Sequence, residues 1–315
     1  MDKRVVPIVF SFDNNLILPA SVCIYSLLVN ANKDTFYDIF ILHSQKVALQ
    51  KEQLNVLEQL YSNNCRIQYR MVGDTFDKSF EIRGITAATY YRLLIPEVVT
   101  EYDKILYSDV DVIFQSDLSA IYESTNLEDC YVAGVNSLSH LIKDHDSYYR
   151  SMSVDSAKTI YAGNIILNSK KLLEDKVVDE FKQHAAKQYR FQDMDVLNII
   201  CAGKIKYLPP SFCYTTYFAE LKQKQRNNLL DIWSSQEIEE SFPSGIIHYN
   251  GQKPWKGYCL NFDIWWEYYR KSPFFDEYFY FQFFHEKMNE LDLLPLWKRV
   301  KILVRYFVFG DKLKE

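Results

Sequence analysis

Two stretches carry residue types that could do chemistry together. In Lys104-Ile-Leu-Tyr-Ser-Asp109-Val110-Asp111 an apolar, strand-like run ends in two carboxylates spaced i, i+2. In extended chain such side chains leave on one face, so both can approach a single hard cation. In Ile246-Ile-His248-Tyr-Asn-Gly251-Gln-Lys253-Pro-Trp255 a histidine closes an apolar run and a lysine follows five residues later. Gly251 lets backbone come close to a ligand. Imidazole offers a third metal ligand, and the amine offers a charge for phosphates. Adding nitrogen to two carboxylates favours Mn²⁺, with Mg²⁺ the alternative, because Mg²⁺ prefers an all-oxygen shell. Each signal alone is weak: D-x-D triplets occur on solvated turns, and a lone histidine at a strand end is usually structural.

The pair of aspartates has two chemical readings. They could hold a divalent ion that bridges a nucleotide diphosphate. Alternatively Asp109 could be a phosphorylated nucleophile, as in haloacid-dehalogenase-type phosphatases, whose D-x-D-x-T/V motif Asp109–Val112 also fits. In those enzymes a second acidic cluster follows the motif. Here the similar cluster, Gly73-Asp74-Thr-Phe-Asp77, precedes it, which demotes the phosphatase.

The elements that must position these residues alternate. Val5–Ser11, Tyr37–Leu42, Arg66–Val72 and Lys104–Ser108 read as strands. Pro19–Val29 and Thr86–Leu94 read as helices, and Val47, Leu54, Leu57 and Tyr61 fall at helical spacing. This β-α-β order predicts an α/β fold with a mostly parallel sheet, whose ligands bind beyond the carboxyl ends of the strands, just after Ser11 and just after Ser108. Further strands are expected near Tyr131–Val135, Asn164–Leu167 and Ile246–Tyr249, and helices over Lys171–Gln188 and Asp195–Cys201. The 315 residues carry 36 basic and 41 acidic side chains, a net charge of −5 that argues against whole-chain nucleic-acid binding. Nine glycines leave little for a phosphate grip built of glycine loops. Six scattered cysteines show no zinc spacing and read as reduced thiols of a cytoplasmic protein. The N-terminus lacks the pattern of a signal peptide, and the uncharged stretch from Asn14 to Asn32, with four Asn and Pro19, reads as a buried helix rather than a membrane span.

Taken in order, these motifs resemble glycosyltransferase family 8, retaining metal-dependent enzymes that use nucleotide-sugar donors, usually UDP-glucose or UDP-galactose. The likeness runs from about Val6 to Trp255 and implies a GT-A fold, a Rossmann-like mixed, mostly parallel sheet flanked by helices. It divides the chain into a catalytic domain over 1–270 and a helical, aromatic and basic extension over 271–315. By resemblance, Asp13 and Asn15 in Val9-Phe-Ser11-Phe-Asp13-Asn-Asn15 hold uracil and ribose, with a helix N-cap the plain alternative for Asp13. Ser11 and Val110 join that nucleotide site. Arg92 in Thr89-Tyr-Tyr-Arg92 reaches the diphosphate and donor sugar. Asp109, Asp111 and His248 match the metal ligands, and Gly251 and Lys253 match phosphate contacts. Asp193 in Gln192-Asp193-Met194-Asp195-Val-Leu-Asn198 matches the residue that hydrogen-bonds the donor sugar. Asn136 stands where bacterial relatives often carry an aspartate near the reacting sugar. The catalytic candidates are thus Asp193, Arg92 and Asn136.

This sequence departs from the family at Met194, where many members have glutamine, at Tyr161 before Ala162-Gly163, where many have asparagine, and at Leu16, which replaces an aromatic. Without a carboxylate nucleophile, the resemblance implies front-face substitution, with UDP accepting the proton. The expected product is a cell-surface glycan such as lipopolysaccharide, with a catalytically weak UDP-sugar-binding module as the alternative. In Leu296–Phe309 an apolar stripe of Leu296, Val300, Leu303, Val304 and Phe307 lies beside Lys298, Arg299, Lys301 and Arg305. Such a helix suits peripheral contact with the inner face of the cytoplasmic membrane, as a glycolipid acceptor would require, or else packs on the domain. The aromatic cluster of Trp265-Trp266-Glu-Tyr268-Tyr269 and Phe274–Phe284 reads as core or as an acceptor platform.

Overall fold

A computed structural model describes residues 3–76 and 87–309. Among the described residues ten strands form two sheets: β1 (Arg4–Ser11), β2 (Thr35–Ser44), β3 (Cys65–Val72), β4 (Lys104–Ser108), β5 (Val112–Phe114), β6 (Val132–Asn136), β7 (Ile160–Asn168), β8 (Ile205–Tyr207), β9 (Tyr214–Thr215) and β10 (Ile246–His248). The large sheet has the order β3-β2-β1-β4-β7-β6-β8, and the small one β5-β10-β9. In the large sheet β7 runs against β4 and β6, while every other pairing is parallel. The carboxyl ends of β1, β4, β6 and β8 therefore share one edge with the amino end of β7.

The central strands are apolar because both of their faces are covered. Six of the eight residues of β1 are buried. Helix Ile17–Val29 is buried around almost its whole circumference and packs against β5, helix Glu52–Leu60 and helix Phe262–Lys271, which explains why its sequence lacks a polar face. Among the described residues no helix is long and apolar enough to cross a membrane. The opposite face holds a core of Tyr107, Ile165, Phe181, Val196 and Leu197 with their neighbours. Trp265, Trp266 and Tyr269 are core, each at most 2% exposed, which leaves these three rings no face for an acceptor.

Several expected elements are corrected. The single helix over 171–188 is two, Ser169–Glu174 and Val177–Ala185, separated by a left-handed Lys176 at φ 57°; the apolar spacing runs through the break, and no Gly or Pro marks it. Val47 lies outside helix Glu52–Leu60 and is exposed. The helix expected from Thr86 is a 3₁₀ segment over Ala87–Leu94, with Thr86 and Asp77 outside the described residues. Strands β5, β8 and β9 are two or three residues long, too short for any periodicity to announce them.

The chain separates into two compact units, Met1–Ser272 and Pro273–Glu315. Within the second, helix Glu277–Met288 is followed by helix Leu296–Phe309, on which Leu296, Trp297 and Phe307 are exposed.

Candidate active site

The two aspartates are not on a continuing strand, as the D-x-D reading assumed. β4 ends at Ser108, and residues 109–111 cross from the large sheet to β5 in the small one. Both neighbours clamp this crossing through backbone. Asp109 N–H donates to Gly163 O at 2.7 Å, next to the Ser108–Asn164 pair of the β4–β7 ladder, and Tyr249 N–H donates to Asp111 O at 3.0 Å, just past the His248–Val112 pair of β10 and β5. Val110 turns its side chain into the core. The carboxylates are thereby aimed at one point. His248 Nε2 lies 3.8 Å from Asp109 Oδ2 and 3.3 Å from Asp111 Oδ1, and the three groups offer ligand atoms all within 4.8 Å of one another. Gly163 makes the approach possible: a Cβ there would sit 2.3 Å from His248 Cε1 and 2.8 Å from Asp109 Oδ2.

The outer oxygen of each carboxylate is held by a cation. Asp109 Oδ1 accepts from Arg92 Nη2 and from the Tyr107 hydroxyl, each at 2.8 Å. Asp111 Oδ2 accepts from Lys253 Nζ, which also donates to Tyr249 O. The inner oxygens, Asp109 Oδ2 and Asp111 Oδ1, are those that face the imidazole. Two carboxylate oxygens and one ring nitrogen, with balancing cations behind them, fit a divalent ion. The electrostatics agree. Burial works against ionised Asp111, yet Lys253 and His248 hold its carboxyl well below the usual range. Burial also opposes a charged His248, but Asp111 outweighs it and pushes the imidazole up to about 10, so a bound ion would take the place of a proton.

Arg92 is 5% exposed and joins this centre to a third carboxylate. Its Nε lies 3.0 Å from Asp193 Oδ2 and donates to Thr89 O, Nη1 donates to Ala162 O, and Nη2 also donates to Thr89 Oγ1. The guanidinium stacks over the Tyr107 ring at 4.4 Å. With most of its N–H groups engaged by protein, Arg92 is built to orient Asp109 and Asp193. Asp193 also accepts from Thr89 Oγ1 at 2.8 Å. Burial raises its carboxyl to about 6 against the opposing pull of Arg92.

The remaining candidates lie outside this chain of contacts. Ser11, at the end of β1, donates to Ala88 O. Asp13 caps the turn Asn14–Leu16 by accepting from Asn15 N–H, and Asn15 is exposed. Gly251 is exposed, with open space where a side chain would stand. Asn136 ends β6, but its amide donates to Ala157 O and accepts from Leu138 N–H. Beside it a cleft of about 570 Å³ is lined by His140, Lys158, Tyr207, Asp231 and Trp233 among others. Tyr107 and Cys213, whose Sγ is 3.4 Å from His248 Nδ1, were not legible as site residues. Strand alternation two residues before Asp109 could have found Tyr107, whereas Cys213 sits in no local pattern.

A mixed sheet with β7 reversed, and an acidic crossing at its carboxyl edge, define a GT-A glycosyltransferase fold. The chain belongs to glycosyl transferase family 8, whose model matches residues 7–259. It is 26% identical over 297 residues to a Haemophilus influenzae protein named as a glycosyltransferase, a match covering 86% of this chain and 85% of that one. It is 23% identical over 267 residues to the lipopolysaccharide 1,2-glucosyltransferase of Escherichia coli, covering 80% and 73%. Its fold resembles the galactosyltransferase LgtC in complex with donor and acceptor sugar analogues, with a TM-score of 0.69, 22% identity, and 87% and 99% of the two chains covered.

Proposed function

We propose that this chain is a retaining, Mn²⁺-dependent hexosyltransferase that moves glucose or galactose from a UDP-sugar to a cell-surface glycan precursor. The observation that carries the reading is the convergence of Asp109 Oδ2, Asp111 Oδ1 and His248 Nε2, each carboxylate backed by its own cation. These three would hold the ion, which when bound supplies positive charge beside a leaving diphosphate. Lys253 stands beside it to meet the phosphates, Arg92 fixes the mutual orientation of Asp109 and Asp193, and Asp193 accepts a hydroxyl of the donor sugar. Ser11, Asp13 and Asn15 take the nucleoside at the end of β1. Met194, packed against the core, offers no nucleophilic atom, which favours front-face substitution with the diphosphate accepting the proton.

The glycan acceptor is assigned to the cleft beside Asn136. It opens at the ends of β6 and β8, on the sheet edge where β4 ends, and combines the half-exposed Tyr207 ring with His140, Lys158 and Asp231, the mixture of flat apolar and polar groups that sugars require. The E. coli relative named for lipopolysaccharide glucosylation and the LgtC fold likeness support a hexose and a surface glycan. The phosphatase alternative is not carried forward, because Asp109 Oδ1 is taken by Arg92 and Tyr107 and the family is a transferase family.

The test incubates the protein with Mn²⁺ and a panel of UDP-sugars and measures released UDP, beside a variant carrying Asp109→Asn and Asp111→Asn. Release from one hexose donor, lost in the variant by about 10²-fold or more, is expected. Metal-dependent UDP binding without turnover of any donor, even with lipopolysaccharide-type acceptors, would favour the binding-module reading.

A further inference from the structure

We propose that Cys213 is a positioning residue for the metal centre: its sulfur accepts the Nδ1 proton of His248 and so keeps Nε2 bare for the cation. This rests on the reading of Asp109, Asp111 and His248 as the metal ligands. A neutral imidazole carries one N–H and one lone pair, and which nitrogen keeps the proton is set by the hydrogen bond the other side makes. In His248 the nitrogen facing the carboxylates is Nε2, 3.3 Å from Asp111 Oδ1. Coordination there needs the lone pair, so the proton must sit on Nδ1 and needs an acceptor. The Cys213 sulfur stands 3.4 Å from Nδ1.

The fold leaves the ring little choice. β9 runs parallel to β10 with Thr215 beside His248, and Cys213 immediately precedes β9, at the end of the turn Pro210–Phe212. Cys213 is 1% exposed and His248 6%, so the contact is shielded from bulk water. On the ring's other flank, the Cβ that Gly163 lacks would lie 2.3 Å from Cε1 and 3.0 Å from Nδ1. The imidazole is thus fitted against Gly163 on one side and tied to sulfur on another.

Metal-bound histidines usually donate to a carboxylate, a carbonyl or water, partners that raise the basicity of the ring. Cysteine sulfur is a much weaker acceptor. It fixes the tautomer without strengthening the ligand, which suits a centre whose ion is held jointly with the phosphates of a substrate that must leave after each turnover.

The experiment measures Mn²⁺ affinity by isothermal titration calorimetry, without nucleotide, for the wild-type chain and for Cys213→Val and Cys213→Ser, with thermal unfolding of each as a check on the fold. Valine fills the site but accepts no hydrogen bond, and Mn²⁺ affinity is expected to fall by about tenfold. Serine restores an acceptor, and affinity is expected to return to within about threefold of wild type, with the kcat of UDP release following it. Equal Mn²⁺ affinity in wild type and Cys213→Val overturns the proposal. So does a serine variant that folds like wild type yet binds Mn²⁺ as weakly as the valine variant, since packing rather than hydrogen bonding would then explain the loss. A wild-type chain that takes up no Mn²⁺ either alone or with UDP present overturns the metal reading itself, a result distinct from equal affinities.

Discussion

Arg92 lies between two carboxylates that the protein treats differently. Asp109 accepts from that guanidinium and from Tyr107 and faces His248, whereas Asp193 is buried and its carboxyl is raised to about 6 even beside that cation. An ionised carboxylate accepts a sugar hydroxyl more strongly than a neutral acid does, so with Asp193 in its proposed role the rate of donor cleavage should fall as pH drops through about 6. Asp193→Asn should remove that acidic limb and lower kcat by about tenfold to a hundredfold, which a pH–rate profile at saturating Mn²⁺ and donor would show. The sign for stability runs the other way. A raised folded-state value means the native chain keeps a proton that the unfolded chain has lost, so this group's contribution declines as pH rises from 3.8 to about 6. The site therefore holds a carboxylate that the fold would rather keep neutral, a conflict expected where function fixes the residue.

One short helix divides its motif between chemistry and architecture. In Asp193–Ile200, Asp193 faces Arg92, while Asp195 accepts from the Tyr148 hydroxyl and from Phe191 N–H. Asn198 accepts from Ile160 N–H at 2.8 Å and donates to Ile160 O and Met194 O, each at 2.9 Å. That amide ties the helix to the amino end of β7, the strand that brings Gly163 against Asp109 and His248. Asn198→Ala would strip buried backbone groups of their partner, with an expected loss of about 2–4 kcal/mol, read as a lower urea midpoint at unchanged slope. An unchanged midpoint would place the anchoring of β7 elsewhere. Mn²⁺ affinity should weaken with it, since Gly163 and His248 share a surface.

At the scale of the whole chain, charge and exposed apolar surface are unevenly distributed. The chain is net acidic, yet residues 298–315 hold six basic and two acidic side chains. On helix Leu296–Phe309, Leu296, Trp297 and Phe307 are 76%, 63% and 82% exposed, beside Lys298, Arg299, Lys301 and Arg305. Aromatic and basic groups together suit an anionic lipid surface, where a glycolipid acceptor would wait. Removing residues 296–315 should release the protein from anionic vesicles in a co-sedimentation assay while leaving Mn²⁺-dependent UDP binding unchanged. A truncated chain that still pelleted with the vesicles would overturn membrane docking through this helix.

The sequence by itself determined what local patterns can encode. Alternating strand and helix periodicities gave the parallel half of the sheet, with β4 read from Lys104 to Ser108 as it stands, and residue types at close spacing marked Asp109, Asp111, His248 and Lys253. Cooperation across long separations was not encoded locally. The reversal of β7 brings Gly163 against Asp109, and the two-residue β9 brings Cys213 to His248, 35 residues away. Which oxygen of each aspartate faces inward depends on Arg92, Tyr107 and Lys253, drawn from three different segments. The same holds for Asn136, which family resemblance marked and whose amide is engaged by Ala157 O and Leu138 N–H. A motif fixes which groups are available. Packing, by choosing their neighbours, decides which of their atoms are left to meet a ligand.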